Sequence, residues 1–192
     1  MLSNCERPKY QLQNQIEISA YPECKKVQNA EGRRIRMSAF QGFPRITPFL
    51  WFDSNAEEAV EFYLTVFKNS RRLQELRNTG DAPGPKGGVL TIGFELEGQK
   101  FTALNGGPIY KFTEAISFVV LCKTQEEVDE YWSKLADGGT EFQCGWLKDK
   151  FGLCWQIVPE QLPELIKNPK AMQAMMGMKK LDIAELERAA RS

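Results

Sequence analysis

Histidine and closely paired cysteines, which serve many catalytic and metal sites, are missing from this sequence. None of the 192 residues is histidine, which excludes histidine-dependent catalytic triads and metal sites built on imidazole. The five cysteines, Cys5, Cys24, Cys122, Cys144 and Cys154, form no C-x-x-C pair, so neither a zinc ribbon nor a redox dithiol is indicated. Their wide spacing is typical of free thiols in a reducing cytosol.

Cys144 is a candidate nucleophile. A thiol becomes reactive when a neighbouring positive charge lowers its pKa, and Lys148 follows four positions later. On an extended strand that spacing is roughly 13 Å, which prevents contact unless the chain bends. The alternative is an inert cysteine packed as a small hydrophobe. Trp146, between them, is either a pocket wall or part of the core.

Charge and hydropathy argue against two classes of partner. The 25 basic and 25 acidic residues balance, whereas nucleic acids and membrane surfaces select for clustered positive charge. No run of about 18 apolar residues predicts a membrane span, and the first residues lack the apolar stretch of a signal peptide. We therefore expect a cytoplasmic protein with neither nucleic acid nor membrane as a partner.

Three regions differ in composition. Residues 1–45 are rich in Gln, Asn, Lys and Arg and poor in clustered apolar positions, which predicts a disordered extension. Residues 46–159 are densely patterned and form the predicted domain. Residues 160–192 carry a methionine-rich helical pattern with a capping box at Asp182 and Glu185, which predicts a helical tail packed on the domain or across a dimer.

The pattern in residues 46–159 predicts the same order of strands and helices twice. A strand (ITPFLWF), an amphipathic helix (SNAEEAVEFYLTVFKN) and three strands (SRRLQELRN, VLTIGFELEG and QKFTALNGG) come first. A strand (AISFVVLC), a helix (TQEEVDEYWSKLADGG) and two strand-like segments (EFQCGWLK and LCWQIVP) follow. The Gly/Pro-rich segment TGDAPGPKGG lacks the ending of a phosphate-binding loop and is typical of a mobile flap.

An offset of 69 residues superimposes the two halves. Helix positions coincide at this offset, and so do apolar strand positions, without a gap. The coinciding pairs include Glu57 with Glu126, Tyr63 with Trp132, Leu50 with Val119, and Phe52 with Leu121. We interpret this as an internal duplication of a βαβββ unit, in which each copy covers apolar surface that the other leaves exposed.

Several strings in this region resemble a known family. They are ITPFLWFD, NAEEAVEFY, FTALNGGP, AISFVV and QCGWLKDKFGLCWQIVP, spanning residues 46–159. The chain resembles the PhnB-like branch, labelled 3-demethylubiquinone-9 3-methyltransferase-like, of the vicinal oxygen chelate superfamily of glyoxalases, bleomycin-resistance proteins and dioxygenases. The resemblance implies an α+β fold of two βαβββ modules, 46–107 and 115–159, forming a curved mixed sheet. It also implies a homodimer.

The superfamily's metal ligands do not carry over to this sequence. The family's histidine position falls on Ala115, with Ile46 as its counterpart in the first module, and its glutamate position falls on Gln156. The strand from Phe101 to Asn105 contains no carboxylate. Because amide and hydroxyl oxygens lack the charge such a site needs, we expect neither a bound metal nor another cofactor.

The same resemblance implies which side chains would line a pocket. If the glutamate position faces the cavity, strand alternation places Cys154, Gln156 and Val158 there, and Ser117 and Val119 on the neighbouring strand. The predicted substrate-binding residues are Asn105, Ser117, Cys144, Trp146, Cys154 and Gln156. The alternative for the polar members is that each merely hydrogen-bonds backbone or water within a sheet.

Three functions remain open at this point. The first is metal-independent binding of a small molecule. The second is an enzyme, a lyase, an isomerase or the 3-demethylubiquinone 3-methyltransferase of the family label, acting on a small oxygenated substrate. Its catalytic roles are undefined, with Asn105, Ser117, Gln156 and Cys144 as the residues available. Methyl transfer is disfavoured, since no strand is followed by the G-x-G turn of a nucleotide-binding unit. The third is an interaction module with a filled sheet.

Overall fold

The computed structural model describes residues 42–192 and the backbone of two short strands before them. These strands are β1 (Val27–Gln28) and β2 (Arg34–Ile35), which pair antiparallel. The predicted disordered extension therefore lies almost wholly outside the described residues.

Each half of the patterned region forms one four-stranded mixed sheet and one helix. The first module consists of β3 (Phe49–Phe52), α1 (Ala56–Val66), β4 (Ser70–Arg77), β5 (Val89–Leu96) and β6 (Gln99–Asn105), with strand order β3-β6-β5-β4. The second consists of β7 (Ser117–Cys122), α2 (Gln125–Ala136), β8 (Thr140–Glu141), β9 (Trp146–Lys148) and β10 (Cys154–Pro159), in the order β7-β10-β9-β8. The first and last strands of each module are parallel.

The predicted α+β class and the two βαβββ modules are confirmed, with the strands arranged as two separate sheets. One face of each sheet packs on its helix, because alternate apolar residues on the strands meet the apolar stripe of the helix. Leu50 and Phe52 of β3 are buried in this way, and so are Trp155 and Ile157 of β10. The two helix-side surfaces join in one core. We call the opposite face of each sheet its open face.

The repeat offset of 69 holds for the helices and is wrong for the first strands of the two modules, β3 and β7. Tyr63 and Trp132 are both buried, as the offset requires. Leu50 is buried, however, whereas its counterpart Val119 is 52% exposed. Three residues connect β3 to α1 and only two connect β7 to α2. Because a shift of one residue moves a strand's side chains to the other face, β3 and β7 superimpose at an offset of 70.

The predicted strand EFQCGWLK is interrupted. Cys144 and Gly145 have φ of 61° and 79°, which lie in the left-handed region and end an extended strand. Their backbone N–H groups donate to the carbonyl oxygens of Met178 (2.7 Å) and Lys179 (2.8 Å). The chain therefore leaves the sheet after β8 to hydrogen-bond the C-terminal region, and it re-enters as β9.

The C-terminal region contains three short helices around a small second core. They are α3 (Leu162–Leu165), α4 (Pro169–Gly177) and α5 (Ile183–Ala190). Asp182 caps α5 by accepting the N–H of Glu185 at 2.8 Å. Gln125 at the start of α2 donates to the carbonyl of Leu181 and accepts the N–H of Ile183, which fixes this region to the second module. No helix among the described residues is long and apolar enough to cross a membrane.

Candidate functional site

The open face of the second sheet collects most of the predicted site residues. Strand register places Ser117, Cys154 and Lys148 side by side in one row across β7, β10 and β9. The next row contains Val119, Gln156 and Trp146. We call this surface the second open face, and Leu121 and Val158 extend it by a third row. Alternation along β7 and β10 thus brings together side chains that lie 39 residues apart in the chain.

A hydrogen-bonded pair lies at the centre of this face. The Gln156 Nε2 donates to Ser117 Oγ at 2.8 Å, and both side chains are partly exposed. The bond leaves the Gln156 carbonyl oxygen as an acceptor and the Ser117 hydroxyl hydrogen as a donor. Val119 and Leu121, 52% and 60% exposed, flank the pair, and Trp146 is half-buried beside Gln156. The face therefore offers one donor and one acceptor among apolar side chains.

Cys154 forms the floor of this surface and not its reactive group. Its side chain is fully buried, and burial, followed by the nearby Glu114, raises its pKa. A thiol with a raised pKa is protonated at neutral pH and is a poor nucleophile. The Cys122 thiol is buried in the core, where burial raises its pKa to about 12.

Two predicted site residues lie elsewhere. Asn105, at the end of β6, accepts the N–H of Ala56 at 2.9 Å and donates to the Val89 carbonyl at 3.0 Å. Its amide therefore caps α1, whose N-cap residue Asn55 makes no side-chain cap bond. Cys144 lies in the β8–β9 connection, held to the C-terminal region. Neither residue joins the Ser117–Gln156 pair.

Lys148 on the second open face was not predicted as a site residue. Its Nζ lies 3.0 Å from the Glu114 carboxylate and 5.6 Å from the centre of the Phe142 ring. The sequence could have predicted it, because Lys148 is two residues after the predicted site residue Trp146 on the same strand and shares its face. The ion pair places a polar rim beside Cys154.

A buried carboxylate joins the two modules. Asp149 accepts hydrogen bonds from the Tyr63 hydroxyl on α1 and the Trp155 indole N–H on β10, both at 2.8 Å. It also accepts the backbone N–H groups of Phe151 and Leu153. Burial raises the pKa of Asp149, and these four donors oppose that shift by stabilising the carboxylate. Burial and the adjacent Asp149 raise the pKa of Tyr63 well above its usual value.

The residues at the superfamily's metal positions do not fit a metal ion. Gln156 offers an amide that is already bonded to Ser117, and Ala115 and Ile46 offer no donor atom. Within residues 42–192, no group of three or more Asp, Glu, Cys or His side chains is close enough to hold a cation. Divalent ions need charged or imidazole ligands in such sites.

The segment predicted as a mobile flap is held by one buried side chain. The Asn78 amide nitrogen lies within 3.2 Å of the carbonyl oxygens of Ala82, Pro83 and Gly84, and its oxygen accepts the N–H groups of Gly80 and Ala82. These bonds are characteristic of an ordered Asn-centred turn. The segment therefore has a defined conformation next to β4 and β5.

Two βαβββ modules, each with its first and last strands paired in parallel, define a protein of the vicinal oxygen chelate class, the glyoxalase and bleomycin-resistance fold. Residues 44–158 match the family described as 3-demethylubiquinone-9 3-methyltransferase, and the chain belongs to that family.

Solved structures of similar proteins agree with this assignment. The PhnB protein from Bacillus cereus is 35% identical, covers 60% of this chain and 99% of its own, and superimposes with a TM-score of 0.56. Protein PA1353 from Pseudomonas aeruginosa is 20% identical, with coverage of 61% and 98% and a TM-score of 0.51, a likeness of fold alone. No curated protein matches the chain.

Proposed function

We propose that the protein binds a small, neutral, oxygen-containing molecule on the second open face without a metal ion. The Ser117–Gln156 pair carries this proposal, since it presents a hydroxyl donor and a carbonyl acceptor on adjacent strands. Small-molecule sites combine a few such polar groups with apolar walls, and Val119, Leu121 and Trp146 supply the walls. A ligand bearing both a hydroxyl and a carbonyl group would satisfy both partners.

The charges around the pair support a neutral ligand. Lys148, the nearest cation on the face, is already paired with Glu114. Cys154 is protonated at neutral pH, so the face supplies no strong nucleophile. Binding is therefore better supported than catalysis. The alternative is the methyl transfer in the family's description, and the experiment below tests both functions.

A thermal-shift screen of chelator-treated protein tests the proposal. The panel contains neutral hydroxy-carbonyl metabolites together with S-adenosylmethionine. A ligand at 100 times its Kd stabilises the native state by about 2.7 kcal/mol and raises Tm. We expect a neutral metabolite to give this shift with no added metal. A shift that requires a divalent ion would contradict the proposal, and a shift with S-adenosylmethionine alone would favour methyl transfer.

We also propose that a second copy of the chain covers the second open face and completes the site as a homodimer. Leu121 and Val119 are more than half exposed there. Contiguous apolar surface of this kind is typical of an interface. A partner chain would supply the second wall that an open sheet lacks.

Leu121→Glu is expected to convert the dimer to a monomer, because it places a charge in the apolar interface. Analytical ultracentrifugation measures the change. Ser133→Glu is the control, since Ser133 is exposed on α2, which packs on the opposite face of the second sheet. The control should remain dimeric. A monomeric wild-type protein, or a Leu121→Glu variant that sediments as a dimer, would reject the homodimer.

A further inference from the structure

The open face of the first sheet has a depression at its centre. Strand register aligns Phe49, Thr102 and Gly93 in one row across β3, β6 and β5. One neighbouring row contains Trp51, Leu104 and Thr91, and the other contains Lys100 and Glu95. Since glycine has no side chain, the middle row is lowest at Gly93. We call this surface the first open face.

Phe43, from the segment before β3, lies in the depression. The Phe43 Cζ would be only 2.7 Å from a Cβ at position 93, so the ring rests directly on the glycine backbone. Leu73 and Gln74 of β4 border the same point, where β4 bulges away from β5. Lys100 donates to the carbonyl oxygen of Gly42, and its Nζ lies 5.7 Å from the Phe43 ring centre. Contacts with Gly93 and Lys100 thus fix the position of the ring, although the Phe43 side chain is partly exposed.

An unpartnered hydroxyl lies next to that ring. Thr102 is directly opposite Gly93 in the antiparallel ladder, and its side chain points to the same face. It is 3% exposed, and its Oγ1 has no hydrogen-bond partner among the described residues. A buried polar atom without a partner costs about 1–3 kcal/mol. The hydroxyl can donate or accept, whereas a phenylalanine ring offers it neither possibility.

From this arrangement we propose that the first open face is a binding site for a phenol-like molecule, and that Phe43 occupies it as an internal competitor. The ligand's ring takes the place of the Phe43 ring on Gly93, and its hydroxyl bonds Thr102 Oγ1. Lys100 then lies over the ligand ring as it lies over Phe43. This site is separate from the Ser117–Gln156 pair and does not depend on the function proposed above.

Because Phe43 occupies the site, a ligand can bind there only after the Phe43 ring has moved. An external ligand binds only to molecules whose Phe43 has moved away, so its apparent affinity is reduced by the fraction in that state. Removing the ring should therefore raise affinity without creating a new contact. Phe43 lies in a half-exposed segment before the first strand of the module, so its replacement leaves the core intact.

NMR titration of the full chain with phenol and with toluene tests the proposal. Phe43→Ala should bind phenol at least about tenfold more tightly than wild type. The double variant Phe43→Ala/Thr102→Val should bind phenol and toluene equally, because it lacks the Thr102 hydroxyl that bonds the phenol hydroxyl. Phe43→Ala with Gly93→Ala should lose binding, since the added methyl group occupies the place of the ring. Phe43→Leu should give an intermediate gain.

Two results would overturn the inference. One is a Phe43→Ala variant, folded by circular dichroism, that binds phenol no better than wild type. The other is an unchanged preference for phenol over toluene after Thr102→Val. If Phe43→Ala fails to fold, the same comparison is made with Phe43→Leu, and no gain in that variant counts against the proposal. A metabolite that binds at Ser117 and Gln156 alters none of these outcomes.

Discussion

Asp149→Asn is expected to lower the free energy of unfolding by about 3 kcal/mol or more. The carboxylate accepts four hydrogen bonds, two at each oxygen, and all four partners are donors. An asparagine must direct its NH₂ group at two of those donors. At least one bond is then lost, because the Tyr63 hydroxyl can turn to accept from the NH₂ group but the Trp155 and backbone N–H groups cannot accept. A buried N–H donor is left facing another N–H donor. Urea unfolding at neutral pH measures the difference.

The matched control for this variant is Asp137→Asn. Asp137 ends α2 and is exposed, so its replacement should change the free energy of unfolding by less than about 0.5 kcal/mol. Tyr63→Phe removes only one of the four donors to Asp149 and should have an intermediate effect of about 1–2 kcal/mol. An Asp149→Asn variant as stable as wild type would show that this cluster does not hold the modules together.

Local patterns in the sequence were enough to predict the order of the helices and strands. Strand and helix periodicities predicted this order, and Asp182 caps α5 as expected. Alternation along β10 also predicted the faces of Cys154, Gln156 and Trp155 correctly. Each of these features is set by residues within a few positions of one another, which is why a single sequence contains the information.

Contacts between distant residues were not predictable in the same way. Asn105 caps a helix that begins 49 residues earlier, and Asp149 meets a tyrosine 86 residues away. The one-residue difference between the β3–α1 and β7–α2 connections reversed the faces of the compared strands, although their apolar residues looked equivalent. Phe43 lies in a segment that composition alone assigned to a disordered extension, yet it packs on Gly93.

Gln156→Leu is expected to weaken binding of the ligand found by screening by about tenfold or more. The substitution keeps an apolar side chain of similar length but removes the carbonyl acceptor. It also leaves Ser117 without its donor. Because the Gln156 side chain is partly exposed and outside the core, the variant should fold normally.

Calorimetric titration of that ligand into chelator-treated wild type, Gln156→Leu and Gln173→Leu gives the decisive comparison. Gln173 lies exposed on α4, outside the strands that contain the Ser117–Gln156 pair, so its replacement should leave the Kd unchanged. We predict wild-type affinity in the absence of metal and a weakened Kd for Gln156→Leu alone. Equal Kd values for all three proteins, or a wild-type affinity that disappears with the chelator, would contradict metal-independent binding at the Ser117–Gln156 pair.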